Sequence, residues 1–391
     1  MSAVEHPAPA LTTSRRVTRA HIHLDRLEAN VRAVRALIGP DVALLAVIKA
    51  DGYGHGAIPV ARAALAAGAT WLGVACVDEG VALRTAGIVA PVLVMGHAAP
   101  EELRTAVEGD LTLTLGTATQ CDALHDAARR LGSPIRVHLK VDTGMGRFGI
   151  LPDQLEAVAR TLRATSQIVV DGLFTHLARG EEDPRFATDA QLAAFDRSVD
   201  LLAGYGIRPR HLHAANSGAT LIAPRARLTM VRAGLLLYGY RPDPAVLPEL
   251  PLSPAMELRS ALVRVETLPA GSSIGYGHTH RLQRATRIGL VPIGYADGLL
   301  RSLSDVGYLV AGGRRVPIVG RISMDQCMVD LGEAPGLREG DPVVIIGREG
   351  QASVWADDLA TWAGTVGYEI LCGIGPRVPR HYHANHPPSA D

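Results

Sequence analysis

Residues 46–56 read AVIKADGYGHG: a short apolar run, one lysine, then an acidic, glycine-spaced loop with a tyrosine and a histidine. The run Leu44, Leu45, Ala46, Val47, Ile48 has the composition of a buried strand, and Lys49 stands at its C-terminal end. Gly52, Gly54 and Gly56 let the backbone turn tightly and approach a ligand closely. A lysine so placed can form a Schiff base with an aldehyde cofactor, with the loop N–H groups and Tyr53 facing a phosphate. Lysines are usually exposed, so a strand-end lysine reaching solvent is the competing reading. The rest of the chain decides between the two.

Working outward, residues 24–239 alternate between Ala/Arg-rich amphipathic segments and short β-branched runs. Helices are expected at 25–37, 58–67, 78–86, 100–107, 118–131, 152–164 and 191–205. Strands are expected at 43–48, 71–76, 92–95, 111–115, 135–141, 168–175 and 211–213. Repeated βα units of this size imply parallel strands joined by crossover helices, and about eight of them imply a closed barrel. An open doubly wound sheet is the alternative, but no GxGxxG follows the first strand. Beyond Tyr240 the texture changes. Pro242, Pro244, Pro248, Pro251 and Pro254 mark a linker, followed by β-like runs at 255–268, 286–293, 315–319, 327–331 and 342–346. One short helix is expected at 356–363. The fold class is therefore α/β: a (β/α)8 TIM-like barrel over 17–250, then a mostly-β domain over 251–384. The run AHIHL at 20–24 alternates like a strand that can join either domain, and 1–16 and 385–391 read as tails.

Composition narrows the function classes. The chain has 391 residues, 47% of them hydrophobic, with 39 basic and 39 acidic side chains. A chain this long exceeds one ordinary core, so two domains are the default. Balanced charge without basic tracts argues against nucleic acid or an anionic membrane surface. Apolar stretches break well before the roughly 20 residues needed to span a bilayer. Cys76, Cys121, Cys327 and Cys372 are widely spaced, with neither CxxC nor metal-ligand spacing, so no metal is expected. Four such thiols suit a reducing compartment. Residues 1–16 lack a basic start followed by an apolar core, so a disordered tail is expected there rather than a signal peptide, and the location is expected to be cytoplasmic.

In a barrel, functional groups belong at the C-terminal ends of strands. Lys49, Arg147, His176, Asn216 with Ser217, and Arg232 all fall there. A single polar residue at a strand end is ordinarily a cap or a solvated loop group; five in register with the layout are harder to dismiss. The motifs around them are AVIKADGYGHG (46–56), HLKVDTGMGRFG (138–149), GLFTHLA (172–178), QLAAF (191–195), HAANSGA (213–219) and VRAGLLLYG (231–239). They continue with GYGHT (275–279), PIGYADG (292–298), GRISMDQCMVDL (320–331) and GYEILCGIGPRVPR (367–380). This ordered set, running from about residue 17 to 382, resembles the alanine racemase family.

The resemblance implies a pyridoxal-phosphate barrel with a C-terminal β domain, assembled as a head-to-tail homodimer with shared active sites. It implies that Lys49 holds pyridoxal 5′-phosphate through a Schiff base and, once freed, serves as the base for one enantiomer of alanine. The second base is Tyr276, on the opposite face of the substrate, since a proton must leave one face and be replaced on the other. Reference pKa values near 10 for both lysine and tyrosine require help from their surroundings. The family's help is a hydrogen-bonded line from Tyr276 through His176 to Arg232, the arginine meeting the cofactor's pyridine nitrogen. An arginine there can only donate, which leaves the ring a weaker electron sink. Tyr53, Ser217, the N–H groups near Gly234, and Tyr368 are implied at the phosphate, with Asn216 beside Ser217. Arg147 is implied at the substrate carboxylate or the cofactor's phenolic oxygen, and Lys140 as a carbamate that orients it. Met324 and Asp325 are implied to reach the partner's site, and Tyr295 to line the substrate entrance.

Three positions depart from the family pattern: Ser323 where cysteine is common, Gly275 before Tyr276, and Gly367 before Tyr368. The two glycines are expected to loosen the tyrosines or enlarge the pocket. The expected activity is alanine racemisation, supplying D-alanine for peptidoglycan. The rivals are a racemase of broader substrate range, a non-catalytic pyridoxal-phosphate carrier, and a barrel decarboxylase. A carrier needs no second base, and a decarboxylase wants an acid where Arg232 stands.

Overall fold

The computed structural model describes residues 16–164, 167–178, 187–242, 250–332, 334 and 336–384. Most of the two expected tails, and Pro244 and Pro248 of the expected linker, lie outside these. Chain contacts divide the molecule into two units: 24–255, and a second made of residues up to His23 together with 256–383.

The strand β1 (Arg19–His23) belongs to the second unit and is taken up below. The first unit carries eight parallel strands: β2 (Ala43–Val47), β3 (Trp71–Val74), β4 (Val92–Val94), β5 (Thr112–Leu115), β6 (Ile135–Lys140), β7 (Ile168–Phe174), β8 (His211–His213) and β9 (Met230–Ala233). Their order is β8-β7-β6-β5-β4-β3-β2-β9. The β8–β9 seam lacks a regular ladder and is stitched by Thr229 N–H donating to the Leu212 carbonyl at 3.2 Å and Arg232 N–H to the Ala215 carbonyl at 3.0 Å. The barrel is thus nearly closed. Its strands are apolar on both faces because helices cover the outside and packed side chains fill the inside; β3, β4 and β5 are buried at every position.

The helices end where local chemistry says they should. Thr117 opens the helix Ala118–Leu131 by accepting from Gln120 N–H, Gln120 Oε1 reaches back to Thr117 N–H, and Gly132 closes it at φ 65°. The strand β9 was not among the expected runs, because MVRA is only four residues long. The segment after Pro251 is tied back to the barrel: Asn30 donates to the Leu237 and Ser253 carbonyls and accepts from Ser253 N–H.

The second unit is built on a sheet in which Met256–Ala261 pairs antiparallel with β1, and Arg380–His383 pairs parallel with it on the other side. Alternation in β1 turns Ala20 and Ile22 inward and His21 and His23 outward. A second sheet joins Arg264–Leu268, Thr286–Val291 and Cys327–Asp330 antiparallel, over a core that includes Ile274, Leu282, Ile288 and Val319. One helix, Ala356–Ala363, falls at the expected residues; a second, Gly367–Cys372, corrects the expectation of a single helix. Burial pushes the Cys121 thiol up to about 11 and that of Cys327 up to about 12, as suits inert packed side chains.

Candidate active site

Lys49 follows β2 at the C-terminal rim of the barrel, with its side chain exposed. The chain then enters a left-handed turn, with φ of 53° at Ala50, 51° at Asp51, 61° at Gly52, 52° at Tyr53 and 76° at Gly54. Glycines alone were expected to carry this turn; Ala50, Asp51 and Tyr53 share it. Each such residue costs on the order of 1–2 kcal/mol, so the surroundings must hold them. Glu79 does so from the neighbouring βα unit: its Oε1 accepts from Ala50 N–H and its Oε2 from Ala75 N–H, both at 2.7 Å. Asp51 Oδ1 accepts from Ala57 N–H at 2.8 Å, tying the turn to the helix that follows. Glu79 went unmarked in the sequence, where an acidic residue in the first turn of a helix is ordinary.

Arg232 is the penultimate residue of β9 and is buried inside the barrel mouth. Its Nη1 donates to His213 Nδ1 at 3.1 Å and to the His213 carbonyl at 3.0 Å. Its Nη2 donates to the Thr175 carbonyl at 2.7 Å, the Ala214 carbonyl at 3.0 Å and His176 Nδ1 at 3.4 Å. Among the described residues Nε has no partner, so one N–H remains for a ligand. Burial pulls the guanidinium down to about 9, which still leaves it charged at neutral pH.

An arginine only donates, so both imidazoles present a lone pair to it. For His176 that places the proton on Nε2. Burial, then the charges of Arg232, Arg147, Lys140 and Lys49, hold His176 at about 3, so its ring is neutral at physiological pH. Gln191 fixes the backbone around it, donating to the His176 carbonyl at 3.1 Å and accepting from Ala178 N–H at 2.9 Å. The QLAAF motif contained this glutamine, but nothing in its spacing revealed the role.

Lys140 ends β6 and is buried, with Nζ 4.9 Å from the Phe148 ring centroid and 5.5 Å from that of Phe174. Burial, then Arg147 and Arg232, bring its pKa down to about 8. Asp142 folds the loop behind it. The Asp142 carboxylate accepts from the N–H groups of Gly144, Met145, Gly146 and Arg147 at 2.7–3.0 Å. Burial works against this charge, yet the four donors outweigh it and lower its pKa.

Tyr53, Ser217 and Gly234 converge elsewhere on the rim. Gly234 N–H donates to Ser217 Oγ at 2.9 Å, and a Cβ on Gly234 would lie 2.6 Å from Tyr53 Oη. Only glycine lets this backbone come so close to the phenol. Asn216 takes a different position in the arrangement: its Oδ1 accepts from Ala219 N–H at 3.0 Å and caps the helix Ser217–Ile222.

The remaining candidates stand in the second unit. Tyr276 is 70% exposed, between Gly275 and Gly277 at φ 69° and 72°. It lines, with Ser323, Gln326 and Met328, a cleft of about 590 Å³. Tyr295 and Met324 belong to two stitched segments: Tyr295 N–H donates to the Ser323 carbonyl at 3.1 Å, and Ala296 N–H to that of Met324 at 3.0 Å. Gly294 permits this approach, since a Cβ there would meet the Ser323 and Met324 carbonyl oxygens at 2.3 and 2.4 Å. Asp325 accepts from Arg377 at 2.7 Å, and Arg377 also contacts the buried Asp297 that Arg16 grips with both terminal nitrogens at 2.6 Å. Tyr368 sits in the first turn of Gly367–Cys372. A Cβ on Gly367 would fall 2.5 Å from Asp357 Oδ1, so this glycine makes room for a carboxylate.

Comparison with known proteins adds a second line. Residues 22–242 match the family model described as alanine racemase, N-terminal domain, and 255–382 that of the C-terminal domain. The chain is 44% identical over 367 residues to the alanine racemase of Symbiobacterium thermophilum, covering 94% of this chain and 97% of that one. To the enzyme of Desulfovibrio desulfuricans it is 39% identical over 363 residues, covering 93% and 97%. Among solved structures, alanine racemase from Bacillus anthracis with bound L-Ala-P is similar with a TM-score of 0.90 at 36% identity, covering 96% of this chain and 97% of that one. For the alanine racemase of Streptomyces lavendulae the TM-score is 0.89 at 39% identity, covering 95% and 98%.

Proposed function

The chain belongs to the alanine racemase family, and we propose that Lys49 and Tyr276 interconvert L- and D-alanine as opposed bases around pyridoxal 5′-phosphate. Arg232 carries this reading: a buried, charged, donor-only group whose Nε–H, among the described residues, has no protein partner and is left for a ligand. The residues present fit the cofactor. Tyr53 Oη, Ser217 Oγ and the close-approaching backbone at Gly234 make a cradle of neutral donors for a phosphate, completed by Tyr368 and positioned by the Asn216 cap. Lys49 would supply the amine, and Arg232 Nε–H would serve the ring nitrogen. When bound, the cofactor supplies the electron sink that acidifies the substrate's α-hydrogen.

The protein's own groups then divide the work. Lys49 takes or returns the α-proton on one face. Tyr276 Oη, from the partner subunit in a head-to-tail homodimer, does so on the other. His176 donates from Nε2 to the Tyr276 oxygen, while the neutral ring leaves the positive charge on Arg232. Arg147 holds the substrate carboxylate or the cofactor's phenolic oxygen, Met324 and Asp325 approach from the partner, and Tyr295 borders the entrance. The product D-alanine serves peptidoglycan synthesis in the cytoplasm; no helix among the described residues is long and apolar enough to cross a membrane.

Chiral chromatography with a panel of amino acids tests the activity: alanine is expected to be racemised first, and inertness toward alanine would end the proposal. Subunit mixing tests the shared sites. Lys49→Ala and Tyr276→Phe chains, each inactive alone, are expected to recover about a quarter of wild-type activity after exchange. Half the mixed dimers are hybrids, each with one intact site. No recovery despite exchange would place both bases on one chain.

Lys140 is read as a carbamate. With its pKa near 8, about a tenth of the amine is neutral at pH 7 and free to add carbon dioxide, which replaces a buried cation by an anion facing Arg147. Labelled bicarbonate is expected to give a carbamate ¹³C resonance that grows from pH 7 to 9 and is missing in Lys140→Met. A spectrum identical in both proteins would remove the modification.

A further inference from the structure

Behind Arg232, away from its free Nε, stand two histidines with no part in proton transfer to the substrate. His213 lies flat on Phe174, ring centroids 4.7 Å apart and planes 8° from parallel. Its Nδ1 accepts from Arg232, so its proton is on Nε2. That Nε2 lies 2.9 Å from His138 Nδ1, inside the barrel core. The Nε2–H must donate, so His138 Nδ1 accepts and the His138 proton is on its own Nε2. One donor-only group thus determines the tautomer of two buried rings in sequence. Burial, with the neighbouring charges of His211 and Arg232, keeps His138 at about 3, and His213 is pushed well below its ordinary value.

The fold makes specific room for His138. The β6–β7 ladder shifts register between Val137 and His138, which brings Gly172 opposite His138. A Cβ on Gly172 would lie 2.5 Å from His138 Cγ and Nδ1. The far end of the ring is not what this room serves. His138 Nε2 is buried beside the Trp71 and His211 rings, centroids 5.1 and 5.8 Å away, with no hydrogen-bond partner among the described residues. An apolar side chain would avoid that orphaned donor. The useful end is Nδ1, the acceptor for His213.

We propose that His138 is a positioning residue of the active site: as the acceptor for His213 Nε2–H it reinforces the tautomer that Arg232 selects, and so helps keep an acceptor, rather than a donor, against the guanidinium. Without it the His213 Nε2–H is buried with no acceptor, and the tautomer with its proton on Nδ1, which meets an Arg232 N–H head on, gains in population. The guanidinium is planar and rigid, so displacing Nη1 swings Nε as well. The catalytic consequence rests on the reading that Arg232 Nε meets the cofactor ring; the tautomer does not.

Two measurements separate these. Neutron diffraction from deuterated crystals of the wild-type protein is expected to show deuterons on Nε2 of both His138 and His213. A deuteron on His213 Nδ1 would overturn the proposal. His138→Gln keeps an acceptor in a chain of similar length, whereas His138→Met keeps the bulk without one. The methionine variant is expected to lose about tenfold in kcat, the worth of one buried hydrogen bond to a charged network, with KM little changed and the cofactor absorbance shifted. The glutamine variant is expected to stay within about threefold of wild type. Equal kcat in the two variants, whatever their melting temperatures, would sink the proposal. A wild-type protein that racemises nothing would instead sink the proposed activity and leave the neutron result standing.

Discussion

Lys49→Ala is expected to abolish racemisation in both directions, by at least about 10⁴-fold, and to erase the absorbance of the lysine-linked cofactor. The size follows from two roles lost together. A positioned base is worth roughly 10²–10⁴, and the covalent anchor that orients the cofactor goes with it. The loop explains why no neighbour can substitute. Ala50, Asp51 and Tyr53 hold left-handed φ values under the hydrogen bonds of Glu79 and Asp51, a geometry that sets Lys49 and Tyr53 on one short, strained arc. Lys140, the other lysine of the barrel mouth, belongs to β6 and is buried against Phe148 and Phe174. Tyr276→Phe separates the two roles. It is expected to keep the absorbance and lose conversion in both directions alike, since each direction needs one base to take the proton and the other to return it. A Lys49→Ala protein that retains both colour and turnover would remove Lys49 from the site.

The strand-then-loop pattern at 43–56 was legible because a buried parallel strand is apolar on both faces, and the lysine ends that run abruptly. The same contrast made six further barrel strands visible. The strand Met230–Ala233 was not, because four residues containing an arginine carry too little pattern, and that arginine is buried against acceptors just past the ends of β7 and β8. The supporting groups share this trait. Glu79, Gln191, His213 and His138 act on atoms 4 to 75 positions away, and each is an ordinary residue type for its local element. Gly367 shows the converse. Its sequence neighbourhood suggests a loosened Tyr368, whereas the side chain that claims the space is Asp357, ten residues back and in another helix. Motif order picked out the candidate reacting groups; three-dimensional contacts alone show what holds them.

Arg232→Lys is expected to fold less stably by about 2–6 kcal/mol and to lose roughly 10² in kcat, despite keeping a positive charge. The guanidinium serves five acceptors: three carbonyl oxygens, of Thr175, His213 and Ala214, and the Nδ1 atoms of His213 and His176. An ammonium has three N–H donors, so at least two buried acceptors are left without a partner, at about 1–3 kcal/mol each. It has no planar edge to offer the ring nitrogen while its other donors are engaged, which accounts for the catalytic loss. Arg232→Met separates charge from geometry. It removes the buried cation, so His176 and His213 no longer face a positive guanidinium, and the share of their pKa depression due to Arg232 goes with it. His176 then titrates at a higher pH than in the wild type. Since the wild-type ring is neutral above about 3, a rise in the acid limb of the rate profile would appear in Arg232→Met and be missing from wild type. Melting curves and pH–rate profiles of the three proteins decide the matter. A lysine variant as stable and as active as wild type would mean that the acceptors around Arg232 are satisfied by water, and that its fork geometry has no part in catalysis.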